Sequence, residues 1–168
     1  MSLSMYAASV PVFIQMLDSL SAVLDKAEAH TTARKIEPAA LLQARLFPDM
    51  LPFTRQIQIA SDFAKGASAR LAGVEVPKYE DTEVSFSDLK ARIAKATAFI
   101  SALPQAQIDG SEERDISTSA GPNSKTFKGQ QYLVHYALPQ FFFHVTTAYA
   151  ILRHNGVEVG KKDFMGKF

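Results

Sequence analysis

Tyr6, Val10, Phe13, Leu17, Leu20, Leu24 and Ala27 recur at alternating steps of four and three residues. A strand, with its two-residue period, scatters these side chains over both faces. A helix with 3.6 residues per turn gathers all seven on one face. An amphipathic helix this long must bury its apolar side against something else in the chain. With Ser9 as N-cap, Pro11 falls in the first turn, where a missing N–H costs little. A start at Ser4 instead puts a kink at Pro11. The pattern fades over His30–Lys35, where Thr31 and Thr32 interrupt it.

Three more segments carry the same period. A short helical piece is expected from Pro38 to Arg45, with Pro38 in its first turn. Pro48, Asp49 and Pro52 open the second long helix, with Asp49 read as its N-cap. Its face is Phe53, Ile57, Ala60, Ala64, Ala67 and Leu71, and Gly73 is its natural stop. Gly66 is a weak point of this helix or a place of close approach by a neighbour, and Ala60, Ala64 and Ala67 point to close packing there. A polar connector from Val74 to Val84 follows. Ser85 and Asp88 make a box-like start for the third helix, whose face is Leu89, Ile93, Ala96, Ile100 and Leu103, and Pro104 ends it. Gln105–Gln131 reads as an irregular region in which Asp115–Ser119 and Thr126–His135 pair as a hairpin around Ala120–Lys125. The fourth helix starts near Leu138, carries Phe141, Phe142, Val145, Ala148, Tyr149 and Leu152, and stops at Asn155–Gly156. The tail from Val157 to Phe168 reads as irregular. The expected fold is all-α: a four-helix bundle in one domain, 1–168, with a long loop or small β-hairpin between helices three and four.

Composition narrows the function classes. Apolar residues make up 47% and charged residues 21% of the 168, ordinary for a globular chain with its own core. Eighteen Lys and Arg oppose seventeen Asp and Glu, so the net charge of +1 gives no reason to expect nucleic acid or an anionic membrane as partner. No window approaches the roughly 18 apolar residues of a membrane span. The N-terminal stretch lacks the basic leader and cleavage site of a signal peptide. The absence of Cys rules out thiolate catalysis, Cys-ligated metals and disulfides, and agrees with a reducing, cytoplasmic setting.

Four histidines remain as carriers of chemistry. His30 and His154 each fall at a helix C-terminus, where a cation is favoured. His135 precedes the fourth helix, in the expected strand. His144 lies in the run Phe141-Phe142-Phe143-His144-Val145, which places it at least partly inside. There it either satisfies a buried hydrogen bond or contributes to a site. His144 and His154 cannot share a metal along one straight helix. Ten residues rise about 15 Å, whereas a zinc ligand atom sits about 2.1 Å from the ion. The chain has no HExxH, ExxH, HxxxH or CxxC spacing, no Gly-rich phosphate loop and no GxSxG turn. Gln56 reads as a polar edge residue on the second helix. Arg55, Asp62 and Arg70 read as solvated or paired surface charges.

Three stretches carry a resemblance: Tyr6-Ala7-Ala8-Ser9-Val10-Pro11-Val12-Phe13, Leu46-Phe47-Pro48-Asp49-Met50, and Phe141 through Tyr149 running on to Leu152-Arg153-His154-Asn155-Gly156, with Gly160-Lys161-Lys162-Asp163-Phe164 after it. Across its whole length the chain resembles a bacterial domain-of-unknown-function family grouped with the DinB/YfiT-like helical bundles. The resemblance implies a four-helix bundle, often a homodimer. It also implies a divalent metal (Zn, Ni or Mn) held by three histidines, one on the second helix and an HxxxH pair on the last. Several relatives of that kind are thiol-dependent transferases or isomerases. Here His144 matches the first His of the pair, but Ala148 stands where the second would be, and the second-helix position falls near Gln56.

Three functions follow as expectations. One is a small-molecule site at the bundle mouth, lined by His144, Gln56, Asp49, Thr147 and Tyr149 and covered by the 105–135 segment, in a bundle without the full metal triad. Another is a divergent metal-dependent transferase or hydrolase using His144. The third is a non-catalytic dimeric structural protein.

Overall fold

The apolar stripe forms α1 (Val10–Arg34). In this computed structural model, which describes residues 3–118 and 124–168, the helix begins directly after Ser9, so Pro11 falls in its first turn and no kink is needed. Ser9 does not cap with its side chain; its hydroxyl donates to the Met5 carbonyl at 2.6 Å. The helix runs on through Thr31 and Thr32 because both hydroxyls bond to the Glu28 carbonyl. It stops at Lys35, whose φ of 53° is left-handed.

A short α2 (Pro38–Leu42) follows, then α3 (Phe53–Ala72). Pro52, not Asp49, is the residue at the start of α3. Asp49 lies exposed in the preceding turn. The helix entry is held from α2 instead: Phe53 N–H donates to the Ala44 carbonyl at 2.9 Å, and the Thr54 hydroxyl to that of Leu42 at 3.0 Å. Gly73, at φ 71°, ends α3 as expected.

α3 is the central helix. It packs against α7 (Leu138–His154) on one side and α4 (Phe86–Ser101) on the other. Ala60, Ala64 and Ala67 are fully buried at these contacts. Two flanking helices leave α3 almost no solvent face, so Gln56, Gln58, Ser61, Lys65 and Ser68 are buried too. α1 packs against α4 and α7, and its outer face holds α8 (Lys161–Met165) in the tail expected to be irregular. The start of α4 is as the sequence indicates: Asp88 N–H donates to the Ser85 hydroxyl, and the Asp88 carboxylate accepts from Val84 N–H, both at 3.1 Å. No helix among the described residues is long and apolar enough to cross a membrane.

Between α4 and α7 come α5 (Gln105–Ile108) and an antiparallel pair, β1 (Asp115–Thr118) and β2 (Lys125–Lys128). Asp115 is opposite Lys128 and Thr118 opposite Lys125. The turn expected at Ala120–Lys125 lies mostly outside the described residues, as does Ser119 at the end of the first expected strand. The second expected strand is shorter than Thr126–His135. From Gly129 the chain is already helical: α6 (Gly129–Tyr132) leads through a π-helical turn (Leu133–Ala137) straight into α7. His135 therefore sits on a helix. The first helical residue, Gly129, lies so close to the 111–112 backbone that a β-carbon would come 1.9 Å from the Ser111 carbonyl oxygen. Pro139 would break a regular α-helix at this point, having no N–H for the fourth carbonyl back. The wider turn absorbs it, with Leu138 N–H reaching five residues back to Leu133.

Candidate functional site

His144 (α7) and Gln56 (α3) face each other across the α3–α7 contact. His144 Nδ1 and Gln56 Oε1 are 2.7 Å apart and buried. Gln56 is not the polar edge residue that its sequence position suggests; it is 1% exposed. Its other amide atom, Nε2, donates to the Leu51 carbonyl at 2.9 Å. That bond decides the chemistry of the histidine. A carbonyl can only accept, so the amide nitrogen must face Leu51 and the amide oxygen must face His144. His144 Nδ1 therefore carries the proton and donates. In the neutral ring Nε2 is left with a lone pair. Burial, and secondarily the charge of Arg55, hold the His144 pKa below the usual histidine range, which favours this neutral form.

The walls of the site are aromatic. The Phe63 ring lies nearly parallel to the imidazole, with centroids 6.1 Å apart and 17° between planes. Phe143 meets it edge-on at 5.2 Å. Beyond Phe63, Tyr136, Phe127 and Tyr132 continue the cluster at spacings near 6 Å. The π turn sets this arrangement: it places Tyr132 and Tyr136 beside the hairpin's Phe127 before the helix resumes towards His144.

The other expected site residues divide. Thr147 lies one turn beyond His144 and is buried, but its hydroxyl donates to the Phe143 carbonyl at 2.7 Å. Tyr149 faces elsewhere: its hydroxyl reaches the Val159 carbonyl at 3.5 Å, and its ring packs edge-on against Phe164 of α8. Asp49 stays in the exposed turn before α3 and bonds to nothing at His144 among the described residues. Contributors missed from the sequence are Phe63 and the Leu51 carbonyl at His144, and Phe127, Tyr132 and Tyr136 in the cluster beyond. Phe63 had a signal, since it lies seven residues after Gln56 and so shares its helix face. Among the described residues no group of three His, Asp or Glu side chains is placed to hold a metal ion.

Comparison with known proteins places the fold. No curated protein matches the chain. The crystal structure of a DinB family member from Shewanella denitrificans is 39% identical, with 97% of this chain and 92% of that one covered and a TM-score of 0.91. The mostly helical fold with its small hairpin is thus a DinB-like one. The family described as Domain of unknown function (DUF1993) matches residues 5–165, and the chain belongs to that family.

Proposed function

We propose that this protein is a small-molecule-binding DinB-like four-helix bundle whose binding group is neutral His144 at the α3–α7 mouth. The single observation that supports this reading is the chain His144–Gln56–Leu51. It fixes the ring in one tautomer and leaves Nε2 as a hydrogen-bond acceptor beside the rings of Phe63 and Phe143. Such a site favours a ligand with an O–H or N–H donor and an apolar body.

The donor set does not suit the three-histidine metal site that the resemblance implies. Opposite His144 stands an amide whose oxygen is already engaged, and one turn on is Ala148. A homodimer, expected from the resemblance, and a cytoplasmic setting, expected from the absence of Cys, belong to the same proposal.

The test is a melting-temperature screen against a metabolite collection, run on the wild type, His144→Ala and Gln56→Leu. Compounds that stabilise the wild type saturably and lose the effect in His144→Ala support the reading. Metal analysis of untagged protein is the counter-test. A stoichiometric divalent ion that disappears in His144→Ala would establish the metal-dependent alternative in its place. Sedimentation measures the oligomeric state.

A further inference from the structure

Between Gly73 and Ser85 the chain crosses from α3 to α4 without regular structure. It does so over a buried concentration of charge. The Arg92 side chain on α4 is 1% exposed and the Lys65 side chain on α3 is 5% exposed. Cations this far from water are costly unless matched, and an apolar residue of similar size often serves stability as well. Arg92 is matched mostly by the connector. Its Nη1 donates to the Glu80 carbonyl at 3.1 Å and to Glu83 Oε1 at 3.0 Å. Its Nη2 lies 3.0 Å from Asp81 Oδ1 and 3.0 Å from Asp62 Oδ2. Only Asp62 stands on a helix.

The neighbouring cations repeat the pattern. Arg55 donates to Asp81 and to Gln58 Oε1, and Gln58 Nε2 donates to Glu83 Oε2 at 2.7 Å. Lys65 Nζ is 2.8 Å from Asp62 Oδ1 and 3.9 Å from the centre of the Tyr79 ring, which Lys95 Nζ approaches to 4.2 Å. Arg92 Nε is buried with no acceptor among the described residues. The grip of the connector is therefore largely ionic, with the Tyr79 ring packed against the core beside the ion pairs. Its terminal apolar residues add little, since Val74 and Val84 are 37% and 82% exposed. A segment held this way opens locally at lower cost than one held by packing. Opening takes Asp81, Glu83 and the Glu80 carbonyl away together and leaves Arg92 and Lys65 with Asp62 as their one carboxylate and Arg55 with Gln58.

We propose that Arg55 and Arg92, with Lys65 alongside on Asp62, form an anion site whose guanidinium groups the connector's own Asp81 and Glu83 fill when closed, and from which a small dianion, a dicarboxylate or a phosphate, displaces them. Two guanidinium forks and an ammonium suit a doubly charged oxyanion. A groove of about 700 Å³ lined by Tyr79, Glu83, Arg92 and Lys95 adjoins the cluster and gives such a ligand access. The inference stands on this cluster alone and does not depend on His144.

The experiment removes the internal competitor. In an Asp81→Asn, Glu83→Gln double variant, inorganic phosphate or succinate raises the melting temperature saturably. The apparent affinity is at least about tenfold tighter than in the wild type, because binding no longer has to displace the connector. Adding Arg92→Met abolishes the effect. A response to one probe and not the other identifies which oxyanion geometry the site takes. No saturable shift in the folded double variant, beyond that of sodium chloride at matched ionic strength, overturns the proposal. Should the double variant fail to fold by circular dichroism, hydrogen exchange of the wild type decides. Faster exchange of the Val84 amide, the connector N–H that Asp88 holds, on adding phosphate or succinate supports displacement, and unchanged or slower exchange overturns it.

Discussion

At His144 the surroundings choose between two charge states. Desolvation first, and the Arg55 charge second, press the imidazole towards neutrality, and Gln56 then fixes which nitrogen keeps the proton. The sign of the linkage follows. A histidine whose folded pKa lies below its ordinary value of 6.5 contributes stability that is fully present above that value. The contribution is lost as pH falls through the folded pKa. Nuclear magnetic resonance of labelled imidazole should show the Nδ1–H tautomer at neutral pH and a titration midpoint below 6.5. Gln56→Glu sets a carboxylate against Nδ1 and should move that midpoint up; an unmoved midpoint would falsify the pairing. Gln56→Leu keeps the volume but strips a donor from Leu51 and an acceptor from His144. Chemical denaturation should report a loss of about 1–3 kcal/mol.

Among the elements, the helix leading to His144 shows how far local rules reach. Pro139 marks a helix start by the usual signal, yet the helix begins at Gly129, ten residues earlier. Two long-range facts decide this: Gly129 packs against the Ser111 carbonyl, and Gln130 N–H donates to the Glu112 carbonyl at 3.0 Å. Gly129→Ala should therefore be severely destabilising, by about 3 kcal/mol or more, because the clash is with backbone. Gly160→Ala serves as its control. Nothing lies within 4 Å of the added carbon and the backbone there is extended, so its melting curve should nearly overlay that of the wild type. If both variants melt alike, close approach does not explain the helix start.

For the molecule as a whole, acid stability should report the connector. Burial opposes the ionisation of Glu83, but hydrogen bonds from Arg92 and Gln58 outweigh it and hold its carboxyl below the ordinary 4.5. A depressed carboxylate contributes stability that is present above its ordinary pKa and is lost as pH falls through the folded value. Urea unfolding across a pH series should show a decline beginning near pH 4.5, and Glu83→Gln should flatten part of it. Asp88, Asp109 and Asp163 are also held low by hydrogen bonds, and they contribute alike in both proteins. The difference between the two proteins therefore isolates Glu83. Superimposable curves would remove Glu83 from any role in holding the connector.

The four long helices were legible in the sequence, because their period, the stop at Gly73 and the Ser85–Asp88 start are properties of neighbouring residues; α6 and α8 were not. That a hairpin follows Asp115 was legible for the same reason, but its register and the early end of its second strand were not. The candidate site was legible only in His144. Its partner Gln56 lies 88 residues away and looked like an edge residue, because its burial depends on α3 having helices on both sides. Asp49 and Tyr149 were near in sequence to the right elements but face other neighbours. Arg92 carried no mark at all: a lone arginine on an amphipathic helix is normally solvated, and only the path of the connector buries it. Periodicity tells each helix which face to bury. Which polar groups then meet inside is set by how the helices pack, and that requires the whole core at once.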